Sequence, residues 1–389
     1  MSEQCQNSAT TYLIYRHFYD PIQQQLHLGG IENYLLQLAL LLQSEGQRCV
    51  VVQSAETEFS TIYQGIEVVG IHSVSFRGNL KKMALFQYVS RRFNDNTDSI
   101  IFGTDSYFVK NSFKRSIAIQ HGISWDKPKT GCRILGFIKS LLNHQKYLGY
   151  TRDCQHLVCV DHNFVNWYRT YRPFSSKTLV RVILNFSAGA INQQQLEWKW
   201  QQPLVVPKLL IARRFVDYRG IRLAIAVVQK LRLKYPHLQV TFAGEGPLES
   251  EIRAAFIDQP QVTICRYQPA EALDIHYQHD LVLLPSIGSE GSSLSLAEAM
   301  AAGCAVVSTN VGGLSNMLID QFNGLMVMPD VDSLAAQLEF FLQQPAAAKR
   351  MALQAHATAV SSLSLARWQQ DWRQYFHQLG FHLRHMVNP

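Results

Sequence analysis

Short apolar, β-branched runs alternate with helix-like stretches twice along this chain, and that alternation restricts the fold more than any other feature. In the first half the runs are Tyr12–Tyr15, Cys49–Val52, Val68–Ile71, Ile100–Phe102, Ile117–Ile119, Leu157–Val160 and Leu179–Leu184. In the second they are Leu209–Ala212, Val240–Ala243, Val262–Cys265, Leu281–Leu284, Ala305–Ser308 and Leu325–Met328. Strands separated by helical segments imply parallel sheets with right-handed crossovers. Two such blocks in 389 residues predict an α/β protein of two doubly wound, Rossmann-like domains. The expected boundaries are an N-terminal domain over 1–187, a linker over 188–207, a C-terminal domain over 208–362 and a last helical segment over 363–389. The linker is Gln-rich, carries Trp198 and Trp200, and ends at Pro203 and Pro207.

Ligands of open α/β sheets bind beyond the carboxyl ends of the strands, so two facing domains predict one central cleft. The segment Pro285–Gly303 lies in such a position, directly after the run Leu281–Leu284. Ser292 and Ser293 offer N-cap chemistry, Leu294 to Met300 reads as a helix, and Gly303 ends it. Two carboxylates, Glu290 and Glu298, flank the helix start, whose free N–H groups and dipole form an anion site. Eight helical steps rotate by about 80°, so the two face one ligand only if Glu290 sits in the turn before the helix. A phosphate framed by two hydroxyl-binding carboxylates suits a nucleotide sugar.

These residues resemble the Glu-x7-Glu motif of retaining glycosyltransferases of the GT-B fold, specifically family 4, the glycosyl transferases group 1. The resemblance extends through Ala305–Leu314 and Asn323–Leu325, the Leu210–Gly220 segment with its arginines, and the turn Phe242–Leu248. Gly29-Gly30-Ile31-Glu32 and Gln120-His121-Gly122 match two N-terminal landmarks. Six motifs in the right order cover roughly positions 29 to 325. The resemblance implies a last helix crossing back onto the N-terminal domain, as the aromatic-rich Leu363–Gly380 is placed to do.

By that resemblance Glu298 accepts both ribose hydroxyls, since one carboxylate takes two hydroxyl donors. Glu290 holds donor-sugar hydroxyls and stabilises nearby positive charge, and His121 faces the sugar across the cleft. Arg214 and Arg219, following a buried strand, reach the phosphates with permanent charge and a fork of donors. Gly29, Gly30, Gly244 and Gly246 permit close backbone approach. Ser292, Ser293 and Leu294 supply N–H groups to the phosphate, and Arg266 borders the base pocket. Asp161 and His162, at the end of the run Leu157–Val160, are the expected acceptor contacts. No Asp-x-Asp dyad in strand-and-loop context is present, so no metal and no cofactor is expected, and fixed cations and backbone dipoles are left to neutralise the departing diphosphate. Three positions depart from the family pattern: Arg213 stands at a usual glycine, Asn316 at a usual glutamate, and Arg266 where a glycine often follows the run Val262–Cys265.

The expected function is retaining transfer of a hexose-type sugar from a UDP- or GDP-sugar to a glycan or lipid-linked acceptor, in cell-surface polysaccharide or lipopolysaccharide assembly. The alternatives are a nucleotide-sugar epimerase of the same fold and a non-catalytic nucleotide-binding scaffold. Residues 1–190 carry 20 Lys and Arg against 13 Asp and Glu, while the rest balances at 16 each. The basic half predicts peripheral contact with an anionic membrane or glycan. Phe76–Phe93 and Ile134–Leu148 are basic amphipathic candidates for it, though sheet-covering helices share that pattern. No run of eighteen apolar residues and no apolar leader is present, which predicts the cytoplasm, at the inner face of the cell membrane if anchored. Seven scattered cysteines without paired spacing read as reduced thiols. Nothing in the basic pattern forms a nucleic-acid recognition module.

Overall fold

In a computed structural model, which describes residues 9–27, 29–73, 78–126, 142, 144–201 and 206–381, the apolar runs assemble into two sheets. The first has eight strands in the order Leu179–Val182, His156–Cys159, Ser116–Gln120, Ser99–Phe102, Thr10–Tyr15, Arg48–Ala55, Ile66–His72, Phe59–Tyr63. All neighbours are parallel except the last pair. The second has six parallel strands in the order Val262–Cys265, Gln239–Ala243, Lys208–Ala212, Leu281–Leu284, Ala305–Thr309, Leu325–Val327. The fold is therefore α/β with two Rossmann-like domains, as the alternation implies.

Period-2 side chains give each sheet two covered faces, which is why the strands read as unbroken apolar runs. Leu13, Tyr15, Val51, Ile101 and Ile119 pack under the helix Gly30–Ser44, while Ile14, Val52, Phe102 and Cys159 meet Leu85, Val89 and Phe164 on the other side. In the second sheet Leu209, Ile211 and Leu283 pack against the helix Ile221–Arg232. Leu210, Val282 and Leu284 pack against the helix Leu294–Ala301.

The helix Leu365–Gln378 returns to the first sheet and buries Trp368, Trp372, Tyr375 and Phe376 there. Trp372 Nε1 donates to Tyr34 Oη at 3.0 Å, and Arg373 pairs with the buried Glu45 at 2.6 Å. The two chain passages between domains run side by side: Ser187 N donates to Leu363 O at 2.8 Å, and Leu365 N to Ser187 O at 3.1 Å.

Three details differ from the sequence reading. The stretch 188–207 holds a helix, Gln193–Gln201, whose Leu196 and Trp200 join the core of the second sheet. Trp200 Nε1 donates to Gly303 O at 2.9 Å, so apolar anchors draw much of this segment into the C-terminal domain. The antiparallel edge strand Phe59–Tyr63 was not expected; its alternate residues are exposed, so it lacks an apolar run. The helix within Phe76–Phe93 spans Asn79–Ser90 and covers the sheet through Leu85 and Val89. Most of Ile134–Leu148 lies outside the described residues. Among the described residues no helix is long and apolar enough to cross a membrane.

Candidate donor site between the two sheets

Strand order in the second sheet reverses between Lys208–Ala212 and Leu281–Leu284, and a crevice opens beyond their ends. The loops leaving these strands carry Arg213–Arg219 and Ser286–Ser293. They touch each other: Gly220 has φ 74°, and a Cβ there would run into Pro285 O. Only glycine fits that combination of backbone angle and contact.

Glu290 lies in the loop before the helix Leu294–Ala301, and Glu298 lies within the helix. The Glu290 carboxylate is buried and ion-paired through Oε2 with both Arg213 and Arg219, and it accepts from Ser286 Oγ at 2.5 Å. Burial pushes this carboxyl up, but the two guanidiniums and Ser286 outweigh it and hold it below the ordinary range. Glu290 is thus a fixed anion. Arg213 is buried and also donates from Nη1 to Ser293 Oγ at 3.1 Å, whereas Arg219 is partly open.

The arginines are arranged differently from expectation. Arg214 is exposed, and its inward neighbour is Arg213. Arg213 N donates to Ala243 O, so the backbone stays strand-like past Ala212. Successive side chains then alternate sides, with Arg213 and Phe215 buried and Arg214 turned outward. Arg214 instead borders a shallow depression with Glu245, Gly246, Glu249 and Arg266. Arg266 is exposed there and pairs with Glu249 at 3.3 Å.

Glu298 is half-buried, and its carboxylate makes no hydrogen bond among the described residues. Burial alone pushes its carboxyl up to about 7. Its charge acts on Tyr267, a neighbour the sequence did not single out. Gly244 and Gly246 are set by packing: a Cβ on either would meet Arg213 O or Phe215 O within 2.6 Å.

The N-terminal landmarks converge on the same loops. Gly30 stands over Leu294, where an added Cβ would lie 3.4 Å from Leu294 Cδ1, and Gly29 is the N-cap of the helix Gly30–Ser44. Gly122 has φ 84° and abuts Gly291, next to Glu290. His121 Nε2 donates to Gly103 O at 3.0 Å, and its ring stands edge-on to Tyr34 at 5.1 Å. Burial lowers its pKa to about 4, so the ring is neutral with Nδ1 free to accept.

Four expected contacts take other roles here. Asp161 is fully buried and caps the helix His162–Tyr171 by accepting from Phe164 N at 2.8 Å, which removes it from any open acceptor face. Gly291 and Gly313 press against it, and burial pushes its carboxyl up to about 6. His162 is exposed, and its backbone N–H donates to Asn316 Oδ1 at 2.8 Å across the domains. Ser292 Oγ donates to Val160 O at 2.6 Å and accepts from Asn185 N at 3.0 Å, so this serine links the domains. Ser293 caps its own helix, accepting from Leu296 N at 3.4 Å. Arg213, Ser286 and Asn185 were not foreseen as site residues; the Arg213 substitution at a glycine position was the available signal for the first.

Residues 192–358 match the family described as Glycosyl transferases group 1. A glycogen synthase of Mycobacterium tuberculosis is 32% identical over 171 residues, covering 43% of this chain and 39% of that protein. The chain thus spans about two fifths of that relative's length. The phosphatidylinositol N-acetylglucosaminyltransferase gpi3 subunit of Schizosaccharomyces pombe is 25% identical over 333 residues, 80% of this chain and 69% of that one. The structure of Anabaena HepE in complex with UDP-glucose superposes with a TM-score of 0.70 at 15% identity, covering 95% of this chain and 99% of that one. The matched segment spans the crevice loops and both glutamates, so this part of the chain resembles the glycosyl transferases group 1, and the GT-B architecture reaches across both sheets.

Proposed function

We propose that this protein is a retaining, metal-independent glycosyltransferase that moves a hexose-type sugar from a UDP- or GDP-sugar to a glycan or lipid-linked acceptor. The observation that carries this reading is the unequal pair of carboxylates: Glu290 fixed as an anion between two arginines, and Glu298 without a partner beside it. In this reading Glu298 takes the ribose cis-diol, and Leu294 at the helix start faces the diphosphate. Arg213 stays with Glu290, while the more open Arg219 and Arg214 neutralise the leaving group. Glu290 and the Nδ1 lone pair of His121 orient the sugar hydroxyls. The bond between the anomeric carbon and the diphosphate oxygen breaks, and the acceptor hydroxyl attacks from the same face. Its proton passes to the departing phosphate oxygen, so no protein base is required.

The gpi3 relative is named for transfer to phosphatidylinositol, and the N-terminal half of this chain is basic; both support a lipid-linked acceptor handled at the inner membrane face, in surface polysaccharide or lipopolysaccharide assembly. The test is thermal unfolding with UDP, GDP, ADP and TDP on wild type and Glu298→Ala. At one hundred times its dissociation constant one nucleotide stabilises wild type by about 2.7 kcal/mol, and the variant loses the shift. Melting curves that no nucleotide moves would rule this reading out.

A further inference from the structure

The first sheet carries a cavity that the donor chemistry leaves unused. It is lined by Gly78, Asn79, Lys81, Lys82, Lys146 and Tyr150, with Ser106 and Tyr107 closing the side beyond the strand Ser99–Phe102. The chain reaches it three residues past Gly103, whose carbonyl holds His121.

Its charges are unbalanced. Among the described residues, none of the three lysines has a carboxylate within ion-pair distance. Asp105, the nearest acid in sequence, does not line the cavity; its Oδ1 accepts from Ser106 N at 2.9 Å and burial pushes it up to about 7. Lys82 is half-buried, donates to Phe108 O at 3.0 Å and lies 5.4 Å over the Tyr150 ring. Arg16 and Lys81 both act on His17, which burial first and these charges second keep below its usual pKa.

The helix Asn79–Ser90 adds to the imbalance. It begins at Gly78 with no side-chain cap and no acidic residue in its first turn, and Lys81 and Lys82 follow immediately. Lysines belong at the negative end of a helix dipole, so two at the positive end are unfavourable until an anion joins them. A cavity with uncapped N–H groups, three ammoniums and two phenols fits a tetrahedral dianion with several acceptor oxygens.

We infer that this cavity binds a phosphoryl group on the acceptor, holding a phosphate ester while the acceptor hydroxyl reaches the donor crevice beside His121. The assignment to the acceptor rests on the transferase reading above; the phosphate site itself does not. The shared chemistry is a phosphomonoester, borne by a soluble sugar or polyol phosphate or by a lipid headgroup.

The full chain is titrated with glycerol 1-phosphate by calorimetry and with phosphatidylcholine vesicles containing phosphatidic acid by co-sedimentation, with UDP binding measured in parallel. Wild type binds at least one phosphate probe, and glycerol or pure phosphatidylcholine fails to compete. Lys81→Gln/Lys146→Gln, which leaves the half-buried Lys82 in place, weakens that binding about tenfold or more and leaves UDP affinity unchanged, which also shows the variant folded. Preference for the soluble probe identifies a free phosphate ester, and preference for the vesicle identifies a headgroup. UDP binding with no response to either probe, or equal phosphate affinity in the variant, overturns the inference while sparing the donor reading. Phosphate binding without UDP binding keeps the site and sinks its assignment to a sugar acceptor.

Discussion

In the C-terminal domain the cations of the crevice are inward and paired: Arg213 and Arg219 share one oxygen of Glu290, and Ser286 and Ser293 take part in the same cluster. In the N-terminal domain Lys81 and Lys146 border an open cavity with no partner carboxylate among the described residues. A buried charge must be matched by nearby residues, and here the match comes from two short loops that leave adjacent strands. Lysines open to water are hydrated and need no match, so they can be gathered from two separate segments. One arrangement is held by the fold; the other waits for a ligand.

The sharpest way to break that contrast is Glu290→Gln. It leaves the buried Arg213 guanidinium without its anion, and the expected cost is about 3–5 kcal/mol in urea unfolding, together with loss of transfer. Replacing Arg213 by Met in the same chain should recover much of the stability and none of the activity. Changing Lys81 and Lys146 to Gln should shift stability by no more than about 0.5 kcal/mol. Equal costs for the two substitutions would erase the distinction between the domains.

The same contrast explains what the sequence made legible. Both sheets could be read from their apolar runs because each sheet is covered on two faces, as Leu209 and Leu210 illustrate by facing different helices. Phe59–Tyr63 could not, since an edge strand with alternate exposed residues resembles a loop. The pair Glu290 and Glu298 was visible because nine consecutive residues of one loop and helix carry it. Arg213 was noticed only as an odd residue at a glycine position; its direction depended on where strand alternation stops, set by a hydrogen bond to Ala243. Asp161 was misplaced for a similar reason. A strand end next to a helix start reads equally well as a ligand contact or a cap, and only the pressure of Gly291 and Gly313 decides for the cap.

The two carboxylates of the C-terminal domain should also separate by pH. Glu290 lies below the ordinary carboxylate range, so it stays ionised through neutral pH. Glu298 has a folded value of about 7 against an ordinary 4.5, so the folded state binds its proton more tightly. Its contribution to stability therefore falls as pH rises from about 4.5 to about 7. Nucleotide binding has the opposite slope, because only the carboxylate accepts two ribose hydroxyls. Between pH 8 and pH 6 the affinity should weaken about tenfold, one pKa unit's worth on the acid side. Calorimetric titration of UDP or GDP at the two values reads this directly, and Glu298→Gln should bind weakly with a flat profile. A wild-type profile as flat as the variant's would remove Glu298 from the nucleotide contact.

The smallest effect concerns the joint between the domains. Asn316 stands where the resemblance implies a glutamate, and its Oδ1 accepts the first N–H of the helix His162–Tyr171. That helix start is already capped by Asp161, whose carboxyl burial has pushed up to about 6. A second carboxylate beside it would add repulsion, so a neutral amide suits this joint better than an acid does. Asn316→Ala removes one hydrogen bond worth about 1 kcal/mol. If the bond serves closure of the cleft, the loss falls on nucleotide affinity, about fivefold, and leaves the urea midpoint in place. If it serves the fold, the midpoint moves and affinity does not. Asn316→Glu should be the worse variant in either measurement, and a tighter-binding Glu variant would refute the account of Asp161 as the charge that limits this position.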